Sequence, residues 1–204
     1  MLLKDFLGPL LSEYQPKILP APGLKRAAVL VPICEFSTDK QPVVVFTKRS
    51  ESVGHHKGEM SFPGGVQKDG ETLQETALRE TREELGASPF EILGRVDDFI
   101  TITDYIVAPF VGYVKDCPSW VPNKEVAKVI QVPLRELLKE EQWEMQRYYR
   151  GQEEIPVHFF YWPNSRTSDS EEKETIWGAT AHILRNFLTL LRNSPDALVY
   201  LHSS

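Results

Sequence analysis

A pattern of 22 residues, from Gly65 to Gly86, constrains this chain more than any other feature of its sequence. It reads Gly-x5-Glu-x7-Arg-Glu-x-x-Glu-Glu-x-Gly. At about 100° per helical residue, its last three glutamates share an arc of roughly 100°, beside a stripe suited to packing. That stripe consists of Ala77, Leu78, Thr81 and Leu85. The pattern therefore predicts a helix over residues 71–85 with one packed side and one acidic side.

The acidic side needs a counter-charge, because like charges three or four positions apart destabilise a helix. Carboxylates are hard ligands suited to Mg²⁺ or Mn²⁺, and Mg²⁺ is commonly shared between carboxylates and substrate phosphates. The alternative is a solvated helix face on which Arg79 pairs with Glu75 or Glu83. The glycine-rich entry, Phe62-Pro63-Gly64-Gly65, favours the cation, because glycine lets the backbone approach an ion closely. Gly86 provides a helix stop.

These residues resemble the Nudix box, the signature of the Nudix hydrolases. Thr81 is one departure, since the family usually carries a bulkier aliphatic residue there. A long pattern with every spacing kept is far more specific than a lone glycine motif. The matching positions are Gly65, Glu71, Arg79, Glu80, Glu83, Glu84 and Gly86.

A second motif lies upstream and resembles the coenzyme A pyrophosphatase branch of the family. It comprises Val45-Phe46-Thr47-Lys48-Arg49-Ser50, then Gly58, then the Phe62–Gly65 entry. An Arg of that motif is replaced here by Gly54, with His55, His56 and Lys57 immediately after it. Coenzyme A carries a 3′-phosphate as well as a diphosphate, and guanidinium and ammonium groups bind such oxygens. The predicted substrate contacts are Arg49, Lys48, Lys57, His56 and Gly65.

The resemblance to the box implies roles for its acidic residues. Glu80 and Glu84 are the expected metal ligands, with Glu83 sharing or bridging a second ion and the carbonyl of Gly64 completing the coordination. Arg79 orients the glutamates, and Glu80, Glu83 and Arg79 form the expected catalytic set. The general base stays open between Glu80 or Glu83 and a loop acid. The candidate loop acids are Glu125, Glu171, Glu172 and Glu174, each of which is also readily explained as a solvated surface residue.

The reaction implied is hydrolysis of the diphosphate of coenzyme A, or of its acyl or oxidised derivatives, to 3′,5′-ADP and 4′-phosphopantetheine or its acyl form. One alternative is a Nudix pyrophosphatase for ADP-ribose, NADH or another nucleoside diphosphate derivative. A second is a catalytically silent nucleotide-binding regulator on the same fold. The intact Arg79-Glu80-x-x-Glu83-Glu84 argues against it, because a silent domain need not keep every ligand of the box.

Composition agrees with an enzyme for small nucleotides rather than for nucleic acid. The 204 residues are 41% hydrophobic, enough for one substantial core, and carry a net charge of −6. Nucleic-acid binding depends on a basic surface. We expect a small-molecule nucleotide as partner, no nucleic acid and no membrane, a cytoplasmic location, and a homodimer as one open form of assembly. Cys34 and Cys117 are expected to be ordinary packing thiols.

Hydrophobic periodicity predicts an α/β fold, and the resemblance implies a Nudix-type α/β/α sandwich with a mixed central sheet. We expect a single domain over residues 1–204, with an N-terminal helical extension over residues 1–26 and a C-terminal helix at about residues 179–192. Pro16, Pro20 and Pro22 make the segment after the first helix extended. Residues 163–175 form the one long polar loop. The predicted strands cover residues 27–36, 42–47, 92–102, 106–114, 127–132, 143–150 and 155–162, with short helices at residues 2–13 and 134–140.

Overall fold

The structure is a computed structural model that describes residues 2–37, 41–50, 58–87, 89–162 and 174–203. Its helices are α1 (Lys4–Glu13), α2 (Leu73–Leu85), α3 (Leu134–Leu137), α4 (Gly178–Arg192) and α5 (Pro195–Ser203), with a 3₁₀ turn at Glu140–Gln142. Its strands are β1 (Lys25–Glu35), β2 (Val43–Arg49), β3 (Met60–Ser61), β4 (Gly64–Val66), β5 (Glu91–Arg95), β6 (Phe99–Ile100), β7 (Tyr105–Lys115), β8 (Val126–Pro133), β9 (Trp143–Arg150), β10 (Glu153–Trp162) and β11 (Glu174–Ile176).

The central sheet is mixed. Strand β1 runs parallel to β7 along its whole length, from Lys25 opposite Tyr105 to Glu35 opposite Lys115. The other pairings are antiparallel: β2 joins β1, β3 and β8, while β5 and β6 join β7. Strands β9, β10 and β11 form a separate antiparallel sheet.

Strand β1 changes partner along its length, and this opens the sheet. Its end pairs with β2 at Ile33 and Cys34, whereas its beginning pairs with β4 over residues 27–29. Strand β2 therefore diverges from β1 where β4 takes its place. The gap between β2 and β4 lies at the end of β2 that carries Arg49.

Hydrophobic residues bury both faces of the central sheet. On one face, Phe46 and Val31 belong to a core that includes Leu7 of α1 and Phe187 of α4. On the other face, Val45 and Leu30 pack with Ala77 and Leu85 of α2. Helices thus cover both sides, and the predicted α/β sandwich with a mixed central sheet is confirmed. None of the helices described here combines the length and the apolar character needed to cross a bilayer.

Most predicted elements are present, and the differences have local causes. The strand expected over residues 92–102 is interrupted at residues 96–98, because Asp97 and Asp98 turn to bind the extended segment before β1. Asp97 accepts hydrogen bonds from Tyr14 Oη and the Lys17 backbone N–H, and Asp98 accepts one from the Leu19 backbone N–H. The short strands β3, β4 and β11 and the helix α5 were not predicted. Residues 174–175, expected in the polar loop, pair with Tyr161 and Trp162 as part of β11.

The expectation of two packing thiols is wrong. Cys34, buried at the end of β1, and Cys117, just after β7, form a disulfide with their Cα atoms 5.3 Å apart. The two strands run in parallel, so the residues after their ends are neighbours in space although 83 positions separate them in sequence. Cysteine number alone could not reveal this neighbourhood.

A buried carboxylate at the end of β1 joins three distant parts of the chain. Glu35 is only 3% exposed. Its Oε2 accepts a hydrogen bond from Tyr113 Oη at 2.5 Å, and the Leu3 backbone N–H lies 2.9 and 3.1 Å from its two carboxylate oxygens. Tyr200 Oη of α5 donates to its other oxygen. Burial, reinforced by the nearby Glu35 carboxylate, raises the pKa of Tyr113. Glu35 therefore ties α1 and α5 to the sheet.

We expect Tyr200→Phe to lower the free energy of unfolding by about 1.5–3 kcal/mol, the usual contribution of a hydrogen bond to a charged group. The measurement is urea unfolding followed by circular dichroism. Tyr149→Phe is the matched control, because Tyr149 is 70% exposed and its hydroxyl lies 3.3 Å from Glu154 Oε2. The control should change the unfolding free energy by less than about 0.5 kcal/mol. Equal effects of the two substitutions would show that the Glu35 contact has no special weight.

Candidate active site

Helix α2 begins and ends where its sequence directs. Thr72 is the N-cap of a capping box: its hydroxyl accepts the Glu75 backbone N–H, and the Glu75 carboxylate accepts the Thr72 backbone N–H at 2.7 Å. Gly86 ends the helix in the left-handed region at φ 76°. Buried Thr81, the departure from the usual box residue, satisfies its hydroxyl by donating to the Ala77 carbonyl at 2.7 Å. The glutamates that follow Arg79 are therefore held on a helix with fixed ends.

The two glycines of β4 bring backbone into direct contact with both β1 and α2. A Cβ atom on Gly64 would lie 2.4 Å from the Ala28 carbonyl oxygen, and one on Gly65 would lie 2.5 Å from Glu80 Cδ. No side chain fits at either position without displacing a neighbour. The glycine requirement predicted from sequence is thus a requirement for close approach between backbone and carboxylate.

Arg79 is the centre of an ion-pair cluster. Its Nε lies 2.5 Å from Glu71 Oε1, its Nη1 lies 2.6 Å from Glu80 Oε1, and the same Nη1 lies 3.3 Å from Glu83. Its Nη2 donates to the Val66 carbonyl of β4 at 3.3 Å. The guanidinium therefore holds three carboxylates and one strand edge together.

The cluster shifts the acidity of its members. Hydrogen bonding from Arg79 lowers the pKa of Glu71 to about 2, and hydrogen bonding to Glu71 raises the pKa of Arg79. Glu75, the alternative partner weighed from the sequence, is bound by Thr72 instead. Sequence reasoning counted Glu71 as a position of the box but gave it no role. Glu71 precedes Thr72, the N-cap of α2, so helical spacing gave no signal for its pairing with Arg79.

Glu84 stands apart from this cluster. It is 6% exposed, and its Oε2 is buried without a hydrogen-bond partner among the described residues. Burial raises the pKa of Glu84 to about 8, while the Arg49 charge and a hydrogen bond with the Gly64 backbone act in the opposite direction. An ionised carboxylate that is buried without a partner is costly. Glu84 is therefore the acidic group at this site that most requires a positive partner.

The donor set fits a hard divalent cation. Glu84 presents an unpartnered buried oxygen, Glu80 and Glu83 lie on the same side of α2, and carboxylate oxygens suit Mg²⁺ or Mn²⁺. In the arrangement observed, no three His, Cys, Asp or Glu side chains of the described residues converge closely enough to hold an ion, since Arg79 engages Glu80 and Glu83. A cation bound here would share these two carboxylates with Arg79.

The two basic residues at the end of β2 occupy opposite faces of the sheet. Side chains alternate along a strand, so Arg49 shares the face of Val45, which packs with α2, and Lys48 shares the face of Phe46. The electrostatic effect of Arg49 on Glu84 is consistent with this placement. Lys48 instead forms an ion pair with Glu174 at 2.9 Å. The structure thus brings Arg49 to the acidic cluster and directs Lys48 away from it.

The candidate loop acids also separate. Glu125 is exposed, lies 3.8 Å from Arg49 Nη2, and accepts the Ser50 backbone N–H through its carbonyl. Glu174 is buried rather than solvated, and it pairs with both Lys48 and Lys128. Sequence reasoning missed the burial of Glu174 because the strand around it was not recognised. The predicted contacts His56 and Lys57, the substituted Gly54, and the candidate bases Glu171 and Glu172 lie outside the described residues.

One supporting residue was not predicted at all. The backbone N–H of Asn123 donates to the Glu84 carbonyl at the end of α2, and its side-chain oxygen accepts the Glu125 backbone N–H at 2.9 Å. Asn123 therefore links the helix that carries Glu84 to the segment that carries Glu125. An isolated asparagine between two predicted elements gives no sequence signal for such a link.

Comparison with known proteins agrees with this geometry. A NUDIX domain matches residues 24–152. Nudix hydrolase 3 of Caenorhabditis elegans is 36% identical over 186 residues, which cover 86% of this chain and 75% of that protein. Nudix hydrolase NudL of Pectobacterium atrosepticum, itself described as uncharacterized, is 29% identical over 202 residues, which cover 95% of this chain and 96% of that protein.

A solved structure shows a similar fold. The crystal structure of a MutT/nudix family protein from Enterococcus faecalis aligns with a TM-score of 0.55 at 17% identity, covering 97% of this chain and 73% of that one. The NUDIX match spans both the glycine-rich strand β4 and the whole of the acidic helix α2. On the strength of that match and of the two relatives, this chain belongs to the Nudix family of hydrolases.

Proposed function

We propose that this Nudix hydrolase cleaves the diphosphate of coenzyme A or of its acyl or oxidised derivatives. The observation that carries the proposal is the position of Arg49, a residue of the upstream motif, on the face of the sheet that packs against α2, the helix of Glu84. Its Nε is buried without a hydrogen-bond partner among the described residues. A guanidinium in that position is available for diphosphate oxygens.

The catalytic roles follow from the geometry of α2 and β4. Nudix hydrolases generally use divalent ions such as Mg²⁺ or Mn²⁺. Here Glu84, Glu80 and Glu83 would hold the cation, with the Gly64 carbonyl as a further ligand. A divalent cation in such a site polarises phosphoryl oxygens and lowers the pKa of bound water. Arg79 keeps the carboxylates in place, and Gly65 lets the backbone of β4 lie directly against the Glu80 carboxylate.

The chemical step is attack of water on one phosphorus of the diphosphate. A new P–O bond forms, the bridging P–O bond breaks, and a carboxylate takes the proton of the attacking water. The products are 3′,5′-ADP and 4′-phosphopantetheine or its acyl form. Glu80 and Glu83 are candidates for the base on α2, and Glu125 is the candidate among the described loop acids because it lies beside Arg49.

A second function stays open because Gly54 replaces an arginine of the coenzyme A motif. An enzyme acting on ADP-ribose, NADH or another nucleoside diphosphate derivative would use the same α2 and β4 without needing a site for a 3′-phosphate. A silent nucleotide-binding regulator is disfavoured by the retained cluster of Arg79 and its carboxylates.

The first test is a substrate panel with identification of products. Coenzyme A, dephospho-coenzyme A, ADP-ribose and NADH are compared at equal concentration, and products are separated by ion-pair chromatography. We expect coenzyme A or an acyl derivative to give the highest kcat/KM, with 3′,5′-ADP as one product. A preference for ADP-ribose or NADH would replace the proposed substrate, and no turnover of any compound would favour the regulator.

Turnover should depend on a divalent cation. Without one, the acidic side of α2 repels a diphosphate, and the Glu84 carboxylate has no positive ligand. Dialysis against a chelator, with residual metal determined by mass spectrometry, should abolish hydrolysis, and added Mg²⁺ or Mn²⁺ should restore it. Full activity in a preparation shown to be free of metal would contradict the cation mechanism.

Glu84→Gln should reduce turnover by a hundredfold or more, in line with about 2.7 kcal/mol or more for one key electrostatic stabiliser. The free energy of unfolding should not fall, because glutamine keeps the shape of Glu84 and, like the protonated carboxyl that burial favours, carries no charge. Activity and urea unfolding are measured side by side. Glu91→Gln is the control, since Glu91 is 58% exposed and pairs with Lys4. If both variants stayed fully active, Glu84 would not be a cation ligand.

A further inference from the structure

A cavity of about 480 Å³ opens beside the acidic cluster at the beginning of β1. Its size is within the range of pockets that hold nucleotides and other small molecules, roughly 300–1,000 Å³. It is bounded by the turn before β1, the first residues of β1 and the end of β4. The lining residues are Ala21, Leu24, Lys25, Arg26, Val66 and Gln67.

The cavity shares a wall with the candidate active site. Gly65, which contacts Glu80, is followed directly by Val66, which lines the cavity and whose carbonyl accepts a hydrogen bond from Arg79 Nη2. Gln67 continues the wall, and its backbone N–H donates to the Arg26 carbonyl at 3.0 Å. The cavity therefore lies next to strand β4, whose Gly65 meets the Glu80 carboxylate.

The cavity carries two positive charges. Across the parts of the chain that the structure describes, neither Lys25 nor Arg26 forms a salt bridge with a carboxylate. Lys25 Nζ lies 5.9 Å from the centre of the Tyr105 ring. Arg26 Nη2 donates to the Leu19 carbonyl at 3.2 Å, which leaves other guanidinium N–H groups for a ligand. In a chain of net charge −6, two neighbouring cations without an acidic partner favour an anion.

The remaining lining is apolar, so the ligand also presents a nonpolar surface. The side chains of Ala21, Leu24 and Val66 provide that part of the wall. Val66 is 46% exposed, as expected for a side chain that borders an open cavity. A phosphate attached to a nucleoside combines both properties, because its ring system packs on apolar groups and its phosphate binds cations.

We propose that this cavity binds the phosphorylated nucleoside end of the substrate, with a phosphate outside the diphosphate placed on Lys25 and Arg26. Arg49, at the end of β2, then serves the diphosphate itself. This inference rests on the proposed function. It divides the basic residues that contact the substrate into two groups. Arg49 binds the diphosphate that is cleaved, and Lys25 and Arg26 recognise a separate phosphate.

The experiment measures binding of the nucleotide product without turnover. Isothermal titration calorimetry compares 3′,5′-ADP with 5′-AMP, which lacks only the 3′-phosphate, on the wild type and on Lys25→Ala. We expect the wild type to favour 3′,5′-ADP. Lys25→Ala should weaken 3′,5′-ADP about tenfold and 5′-AMP by less than twofold, because one charge-assisted contact is lost only for the former. Arg26 is left intact because it also anchors Leu19.

The control is Lys115→Ala, which removes the same charge from an exposed lysine at the opposite end of β7. It should leave both affinities unchanged.

Ala21→Phe, which fills the cavity without altering charge, should weaken the binding of both nucleotides at least tenfold while the circular dichroism spectrum stays native. Unchanged 3′,5′-ADP binding in Lys25→Ala, or equal losses for the two nucleotides, would overturn the assignment of the phosphate. Undiminished binding in a folded Ala21→Phe would overturn the cavity as the site.

The same variants separate this inference from the proposed function. In steady-state assays, Arg49→Ala should lower kcat/KM for coenzyme A and dephospho-coenzyme A alike, whereas Lys25→Ala should lower it only for coenzyme A. If wild-type enzyme does not hydrolyse coenzyme A, the proposed function fails. The calorimetric comparison of 3′,5′-ADP with 5′-AMP still tests whether the cavity binds the 3′-phosphate. If it hydrolyses coenzyme A and Lys25→Ala has no selective effect, only the cavity assignment fails.

Discussion

The close approach of three backbone segments at Gly64 and Gly65 is the constraint on which the site depends. Strand β4 pairs with β1 and lies against α2; a Cβ atom on Gly64 would lie 2.4 Å from the Ala28 carbonyl oxygen, and one on Gly65 would lie 2.5 Å from Glu80 Cδ. This spacing buries Glu84, sets Glu80 against the strand, and lets Arg79 reach the Val66 carbonyl. A methyl group at Gly64 would collide with β1, and one at Gly65 would displace the Glu80 carboxylate.

Positive charge is distributed unevenly among the acidic residues of α2. Arg79 binds Glu71, Glu80 and Glu83, so one positive charge is shared among three carboxylates and the cluster keeps a net negative charge. Glu84 receives none of this and is the most deeply buried of the four. Arg79 therefore stabilises the exposed carboxylates, while the Glu84 carboxylate remains available for an external cation. Stability and cation binding are assigned to different members of one motif.

Much of this arrangement follows from the sequence, and the exceptions have physical reasons. Spacing alone predicted α2, its acidic side and the glycine-rich approach, because helical geometry is local. The different positions of Lys48 and Arg49 depend on which face of β2 meets α2, which is a tertiary property. Glu174 seemed a surface acid because its strand, β11, has only three residues and is recognised only through its pairing with β10. The disulfide of Cys34 and Cys117 similarly required the parallel register of β1 and β7.

The hydrogen bonds to Glu35 have a consequence for how the protein is made. Its partners come from Leu3, Tyr113 and Tyr200, the last of which follows it by 165 positions in the chain. During synthesis on the ribosome, β1 emerges early, but its buried carboxylate gains its last donor only when α5 has left the exit tunnel. Until then the end of β1 retains an unfilled acceptor that water must satisfy, so complete closure of this face is delayed until Tyr200 has been translated.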